Sequence, residues 1–285
     1  MSYRGIIALD LDDTLLRSDL SISLRTKSTL KKAEAAGYLI VLASGRSVSA
    51  MDKYVRALNL HKKKGYVISS NGALIKESNT GNVMHQSAVS PEVGTMVYDL
   101  ADAEGFSVQI YEDDTIYVSR RNEFTNADLK LTDLNLIVAE DFRNMAQSGP
   151  LKLLIPGDPM MLGPMEEILK NYLGDKAVIF TSKPYFLEIL PENCHKGSAL
   201  AKVAEMTNVP RESVIAIGDS MNDEAMIRWA GVGVCMQNGS DYIKDIADMV
   251  TRKTNNDDGV AGFIEEYVLP AEGILEQRKK GLTHE

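Results

Sequence analysis

The sequence predicts an α/β protein: a parallel sheet with helices on both faces, interrupted by an inserted α+β block. Three observations carry this. Apolar runs alternate with amphipathic stretches at both ends of the 285-residue chain. Several of those runs are apolar throughout, as in strands covered on both faces. Between them lies a segment of about 100 residues whose strands alternate only in part, the mark of a sheet with one covered face.

The elements follow in order. Residues 5–9 (GIIAL) read as a buried strand. Residues 23–36 place Leu24, Leu30, Ala33 and Ala36 at helical spacing, and Gly37 ends that helix. Residues 38–43 (YLIVLA) are the next strand, 48–58 a helix and 66–69 a strand. Residues 73–89 form a hairpin with its turn at Asn79-Thr80-Gly81-Asn82. The insert holds helices at 91–104 and 159–173, with strands at 106–111, 115–119, 152–155 and 177–181. The βα rhythm then returns: a helix from Lys196, strand 213–217, helix 222–230, strand 233–236, helix 240–247 and a short strand at 249–251. The expected organisation is a core of residues 1–86 and 188–285 with an α+β domain of residues 87–187 set into it. The tail EQRKKGLTHE is charged and expected to fray.

The composition limits the function. The chain is 44% hydrophobic and 25% charged, as in soluble globular proteins. A net charge of −9 argues against nucleic-acid binding, which needs a basic face. Two cysteines, Cys194 and Cys235, form neither a disulfide framework nor a structural zinc motif. The first residues, MSYRGIIALD, lack the features of a signal peptide, and no apolar run approaches the ~18 residues of a membrane span. A cytoplasmic protein with no membrane partner is expected, as a monomer or weak homodimer.

The chemistry lies where the core strands end. In open parallel sheets, ligands bind at the carboxyl edge. There the sequence has Asp10-Leu11-Asp12-Asp13-Thr14, Ser44-Gly45-Arg46, Ser69-Ser70-Asn71-Gly72 and Gly218-Asp219-Ser220-Met221-Asn222-Asp223. Carboxylates from two separate strands would meet at one edge and raise each other's pKa values. A divalent cation relieves that repulsion, and hard carboxylate oxygens suit Mg²⁺. Such a centre, with Ser, Asn, backbone amides and a Lys nearby, suits phosphoryl transfer. It also reconciles an acidic protein with an anionic substrate.

DLDDT (10–14), SGR (44–46), Lys196 and GDSMND (218–223) resemble, in order, the four motifs of the haloacid dehalogenase (HAD) superfamily of phosphatases. Ser44 follows Asp10 by 34 residues and Lys196 follows Ser44 by 152, leaving room for a large insert only in the second gap. That layout resembles the Cof-type subclass, whose Rossmann-like core carries an α+β cap of type C2B (IIB). NGA (71–73) and HKGSAL (195–200) match as well, so the resemblance covers essentially the whole chain.

The resemblance implies roles. Asp10 is the nucleophile and a Mg²⁺ ligand. Asp12 is the general acid/base and lends its backbone carbonyl to the metal. The Leu11 amide, Ser44, Gly45 and Asn222 contact phosphate. Lys196 balances charge on the nucleophile and phosphate. Asp219 and Asp223 complete the metal site, and Arg46 and Asn71 are substrate-side candidates. The family often has Gly at the position of Asp13, which is read instead as a turn-shaping residue. Cys194, His195, Cys235 and Trp229 are read as structural.

The function this implies is a Mg²⁺-dependent phosphatase of small phosphorylated metabolites, acting through an aspartyl phosphate. Two alternatives are a phosphomutase of the phosphomannomutase type and a non-catalytic phosphometabolite-binding protein. No GxGxxG follows the first strand and no GK[ST] is present, which disfavours a dinucleotide-binding dehydrogenase and a P-loop NTPase.

Overall fold

Alternate residues of the first strand bury into two different layers. The computed structural model describes residues 3–270. In β1 (Gly5–Leu9), Ile7 and Leu9 join one apolar cluster while Ile6 and Ala8 join another. β2 (Tyr38–Ala43) divides likewise, Ile40 and Leu42 to one side, Leu39 and Val41 to the other. A period of two with apolar residues on both faces requires cover on both faces.

That cover comes from helices. α1 (Leu24–Ala35) and α2 (Val48–Ala57) pack on one side. The sheet continues with β3 (Tyr66–Ser69) and the hairpin β4 (Leu74–Glu77) and β5 (Val83–Gln86). The chain then leaves this layer.

The insert contains α3 (Pro91–Ala103), β6 (Gln109–Glu112), β7 (Thr115–Val118), α4 (Glu123–Thr132), β8 (Asn135–Val138) and α5 (Phe142–Gln147). It continues through β9 (Leu153–Pro156), α6 (Pro159–Leu173), β10 (Ala177–Lys183) and β11 (Phe186–Pro191). Its strands form one six-stranded sheet in the order β10-β11-β9-β6-β7-β8, antiparallel except for β7 with β8. α3, α5 and α6 cover one face of it, around Ile110, Leu153, Ile155, Leu187 and Ile189. The alternate residues Gln109, Tyr111 and Glu188 therefore point the other way.

The second half of the core supplies α7 (Lys196–Thr207), β12 (Val214–Gly218), α8 (Glu224–Trp229), β13 (Val232–Cys235), α9 (Asp241–Ile246), β14 (Met249–Val250) and α10 (Gly259–Phe263). α7 and α8 cover the second face of the core sheet, through Leu200, Val203 and Met226. The strand order is β14-β13-β12-β1-β2-β3-β4-β5, parallel from β14 to β3. β1 and β12, which carry the two acidic strand ends, are neighbours at the centre.

The α/β class holds. The sequence reading overlooked α4, β8, α5 and β11. β11 pairs with both β9 and β10 and carries the second sheet to Pro191, past residue 187. No helix among the described residues is long and apolar enough to cross a membrane. The tail EQRKKGLTHE lies outside the described residues.

Candidate active site

Between the carboxyl edge of the core sheet and the polar face of the insert lies a cavity of about 240 Å³. From the core it is lined by Asp10, Asp12, Asp13, Ser44, Gly45, Arg46, Asp219, Ser220 and Asn222. Sequence-distant strand ends converge because parallel strands all end at the same edge.

After β1 the chain makes a wide turn, closed by the Leu16 amide donating to the Leu11 carbonyl at 2.8 Å. Asp13 sits in that turn in the left-handed region, with φ +59°. Glycine adopts that conformation without cost, and aspartate is among the few other residues that tolerate it. Its carbonyl accepts a hydrogen bond from Asn238 Nδ2 at 2.7 Å, which pins the turn to the core.

Two aspartates of this turn meet two different cations. Lys196, at the first position of α7, is fully buried, and its Nζ lies 2.6 Å from both Asp10 Oδ1 and Asp223 Oδ1. A lysine at a helix N-terminus works against the helix dipole; here two carboxylates offset that. Asp12 instead receives a bidentate pair from Arg46, with Nε at 2.8 Å and Nη2 at 2.6 Å. The remaining Arg46 nitrogen donates to the Leu131 carbonyl of α4, so this guanidinium ties the core to the insert.

Asp223 is buried with full support. Its Oδ2 accepts from the Asp219 and Ser220 amides at 3.0 and 3.2 Å. The carboxyl can fold back beneath the strand end because Gly218 has no side chain; a Cβ there would stand 2.5 Å from Asp223 Cγ. Gly72 plays a similar part on the other side. Its φ is +105°, and a Cβ would lie 2.6 Å from the His195 carbonyl oxygen, against the start of α7 that presents Lys196. His195 caps α7, its Nδ1 accepting from the Ser198 amide at 2.9 Å.

Carboxylate oxygens of Asp10, Asp219 and Asp223 all lie within 4.8 Å of one another. Burial and the neighbouring Asp223 push Asp10 upward, to about 7, against the pull of Lys196. Burial, Asp10 and Asp223 raise Asp219 well above the usual carboxylate range, against the Thr14 hydroxyl, which donates to it at 2.9 Å. When all three carboxylates are ionised, one ammonium leaves a surplus of two negative charges, which a divalent cation would balance. The donors are hard oxygens, so this trio fits Mg²⁺. Asp12 behaves differently. Burial pushes it up, but the hydrogen-bonded guanidinium of Arg46 outweighs burial and holds it below its ordinary value.

The other expected residues fall into place around these. Ser44 and Gly45 line the cavity, and Ser44 Oγ accepts from the Arg46 amide at 3.2 Å. Asn222 also lines it; its Nδ2 donates to Asn71 Oδ1 at 3.1 Å, and its own Oδ1 accepts from Ser220 Oγ at 2.8 Å. Leu11, Lys196 and Asp223 lie buried behind the lining. So does Asn71, whose Nδ2 donates to Glu188 Oε2 of the insert at 2.7 Å. Asn71 therefore bridges core and insert. Cys194, Cys235 and Trp229 pack in apolar clusters, the last partly buried.

Sequence reasoning missed the far wall of the cavity: Tyr111, Asp128, Lys152, Lys183 and Glu188. A signal for two of them exists. Lys152 in LKLLI and Glu188 in FLEILP are single charges inside apolar runs. Each of their side chains is only about 5% exposed, and they pair at 3.1 Å.

A family model described as haloacid dehalogenase-like hydrolase matches residues 7–264. The crystal structure of a haloacid dehalogenase-like hydrolase from Bacteroides thetaiotaomicron superposes with a TM-score of 0.85 at 34% identity, over 93% of this chain and 99% of that one. The Bacillus subtilis (strain 168) protein named 5-amino-6-(5-phospho-D-ribitylamino)uracil phosphatase YcsE is 31% identical over 270 residues, 93% of this chain and 96% of its own. An Enterobacter sp. (strain 638) protein named HMP-PP phosphatase is 29% identical over 240 residues, 82% of this chain and 84% of its own.

Proposed function

The chain belongs to the haloacid dehalogenase-like hydrolases, and from that premise we propose a Mg²⁺-dependent phosphatase of small phosphorylated metabolites that works through a phosphorylated Asp10. The observation that carries this is the buried Lys196, 2.6 Å from both Asp10 and Asp223, which fixes Asp10 in the cavity wall from behind. A carboxylate oriented by a fixed cation at the end of a cavity is an aimed nucleophile. The 31% identical relative is named for a small phosphate ester, which supports the substrate class.

Asp10 attacks phosphorus, the ester P–O bond breaks, and the leaving oxygen takes a proton from Asp12. Asp12 then takes a proton from water, which attacks the acyl phosphate; inorganic phosphate leaves and Asp10 is regenerated. With Arg46 bound, Asp12 is held ionised, the form required in the second step. Donation in the first step requires that pairing to loosen. Ser44, Gly45, Asn222 and the Leu11 amide are assigned to the phosphate oxygens. Asp10, Asp219, Asp223 and the Asp12 carbonyl would hold Mg²⁺, which supplies charge neutralisation at the transferring group. Residues 87–187 serve as the cap over the leaving group.

The test is direct. Asp10→Asn should lower p-nitrophenyl phosphate turnover by more than about a thousand-fold while circular dichroism stays that of a folded chain. EDTA should silence the wild type and Mg²⁺ should restore it, with free phosphate as product. Near-normal turnover by the variant, or full activity without a divalent ion, contradicts the reading; phosphate retained on the organic product indicates a mutase.

A further inference from the structure

The face of the insert sheet that closes the cavity is polar and charged, and its groups are fixed before any substrate arrives. Asp128 of α4 is 4% exposed and lines the cavity. Its Oδ2 accepts from the Tyr111 hydroxyl and from Gln109 Nε2, both at 2.6 Å. Both bonds fall on Oδ2, and Oδ1 has no hydrogen bond from a described residue. Beside it, Glu188 Oε2 accepts from Lys152 Nζ at 3.1 Å and Asn71 Nδ2 at 2.7 Å. The Lys152 ammonium also lies 4.7 Å above the Tyr111 ring.

We infer that Asp128 selects the leaving group: the cavity takes monoesters whose leaving group presents hydroxyl donors and carries no second anionic group. This deepens the phosphatase reading and rests on it. The physical reason is a charge imbalance in a buried wall. Lys152 bonds Glu188 and attracts Asp128 only from a distance, so two buried carboxylates share one ammonium. Burial pushes the Asp128 carboxyl above the ordinary value and Tyr111, Lys152 and Gln109 draw it back; ionised, its free oxygen accepts and cannot donate. A hydroxyl arriving there satisfies it. A carboxylate or second phosphate would be stripped of water next to a like charge, which is strongly unfavourable. Lys183, the other cation on this wall, is directed at Asp13, 3.7 Å away.

The same geometry says what a substitution does. An Asp128→Asn amide that keeps the bonds from Tyr111 and Gln109 has its oxygen at the Oδ2 position. The amide therefore turns its NH₂ toward the cavity, and an acceptor becomes a donor. Two six-carbon probes separate the cases, because they differ only at the end remote from phosphate. Sorbitol 6-phosphate ends in CH₂OH and 6-phosphogluconate in a carboxylate.

The experiment measures kcat/KM for both, and for p-nitrophenyl phosphate, in wild type and Asp128→Asn. Wild type should prefer sorbitol 6-phosphate by about 10-fold or more, and the variant should shrink that ratio by about 10- to 100-fold, the worth of a hydrogen bond to a charged group. Equal wild-type turnover of the two hexose-derived esters, or turnover of neither by an enzyme that hydrolyses p-nitrophenyl phosphate, overturns the selection. So does an unchanged ratio in a folded variant. The wild-type ratio stands whether or not the variant folds. Absence of p-nitrophenyl phosphate turnover in the Mg²⁺-loaded wild type instead overturns the phosphatase reading beneath it.

Discussion

Lys196 Nζ and Asp10 Oδ1 lie 2.6 Å apart with the lysine wholly removed from water. Such a pair is weak evidence of net stabilisation, but removing one partner is costly. Lys196→Met keeps the length of the side chain and strands Asp10 and Asp223 as unbalanced buried carboxylates. The expected loss is about 3–5 kcal/mol, read as a fall in thermal midpoint of on the order of 10 °C in metal-free protein. Asp10, pushed up to about 7 even beside the lysine, takes up a proton as pH falls, so the deficit should be smaller at pH 5 than at pH 8. A variant that melts with the wild type at both pH values would show that the lysine does not hold these carboxylates together.

Arg46 bears on a different step. Its guanidinium keeps Asp12 below the ordinary carboxylate range despite burial, so Arg46→Leu leaves burial opposed only by the weaker pull of Lys183 and Lys196. The limb of the kcat/KM–pH profile governed by Asp12 should move to higher pH, and Arg46→Lys should restore part of the shift. Because Arg46 also donates to the Leu131 carbonyl, KM should rise as the insert loses a tie to the core. An unmoved profile with a raised KM would leave Arg46 a purely mechanical tie.

Asp13 tests whether a third aspartate in the turn shares the metal. Its carboxylate is about half exposed, faces Lys183 at 3.7 Å, and is absent from the trio of Asp10, Asp219 and Asp223. Asp13→Gly removes a left-handed aspartate, relieving about 1 kcal/mol, and loses an exposed ion pair worth about 0–1 kcal/mol. The two nearly cancel. Thermal midpoint and the Mg²⁺ concentration for half-maximal activity should therefore stay close to wild type. A large rise in that Mg²⁺ requirement would make Asp13 part of the cation site.

Much of this was legible without coordinates, for identifiable reasons. A strand buried on both faces must be apolar at every position, so YLIVLA announces itself. Polar strand ends at 10–14, 44–46 and 218–223 stand out against such runs. The insert was harder to read. β8 (Asn135–Val138) is largely exposed and has no apolar face to display. α4 buries Thr125, Asp128 and Thr132, so its buried stripe is polar and hydrophobic periodicity passes over it. β11 was hidden for the opposite reason: all six of its residues are buried, and a short apolar run does not say which sheet it joins.

By itself, then, the sequence determined the layered α/β core, the order of its acidic strand ends and the residue types they bring to one edge. These follow from local patterns: periodicity, turn chemistry and motif spacing. Only the tertiary structure decided the partners. It pairs Asp10 with Lys196 and Asp12 with Arg46, sends Asn71 to Glu188 and leaves one oxygen of Asp128 facing the cavity. Those relationships span from 34 to 186 positions of chain. They depend on burial and on which donors reach a carboxylate first, and neither is encoded in any stretch short enough to be read as a motif.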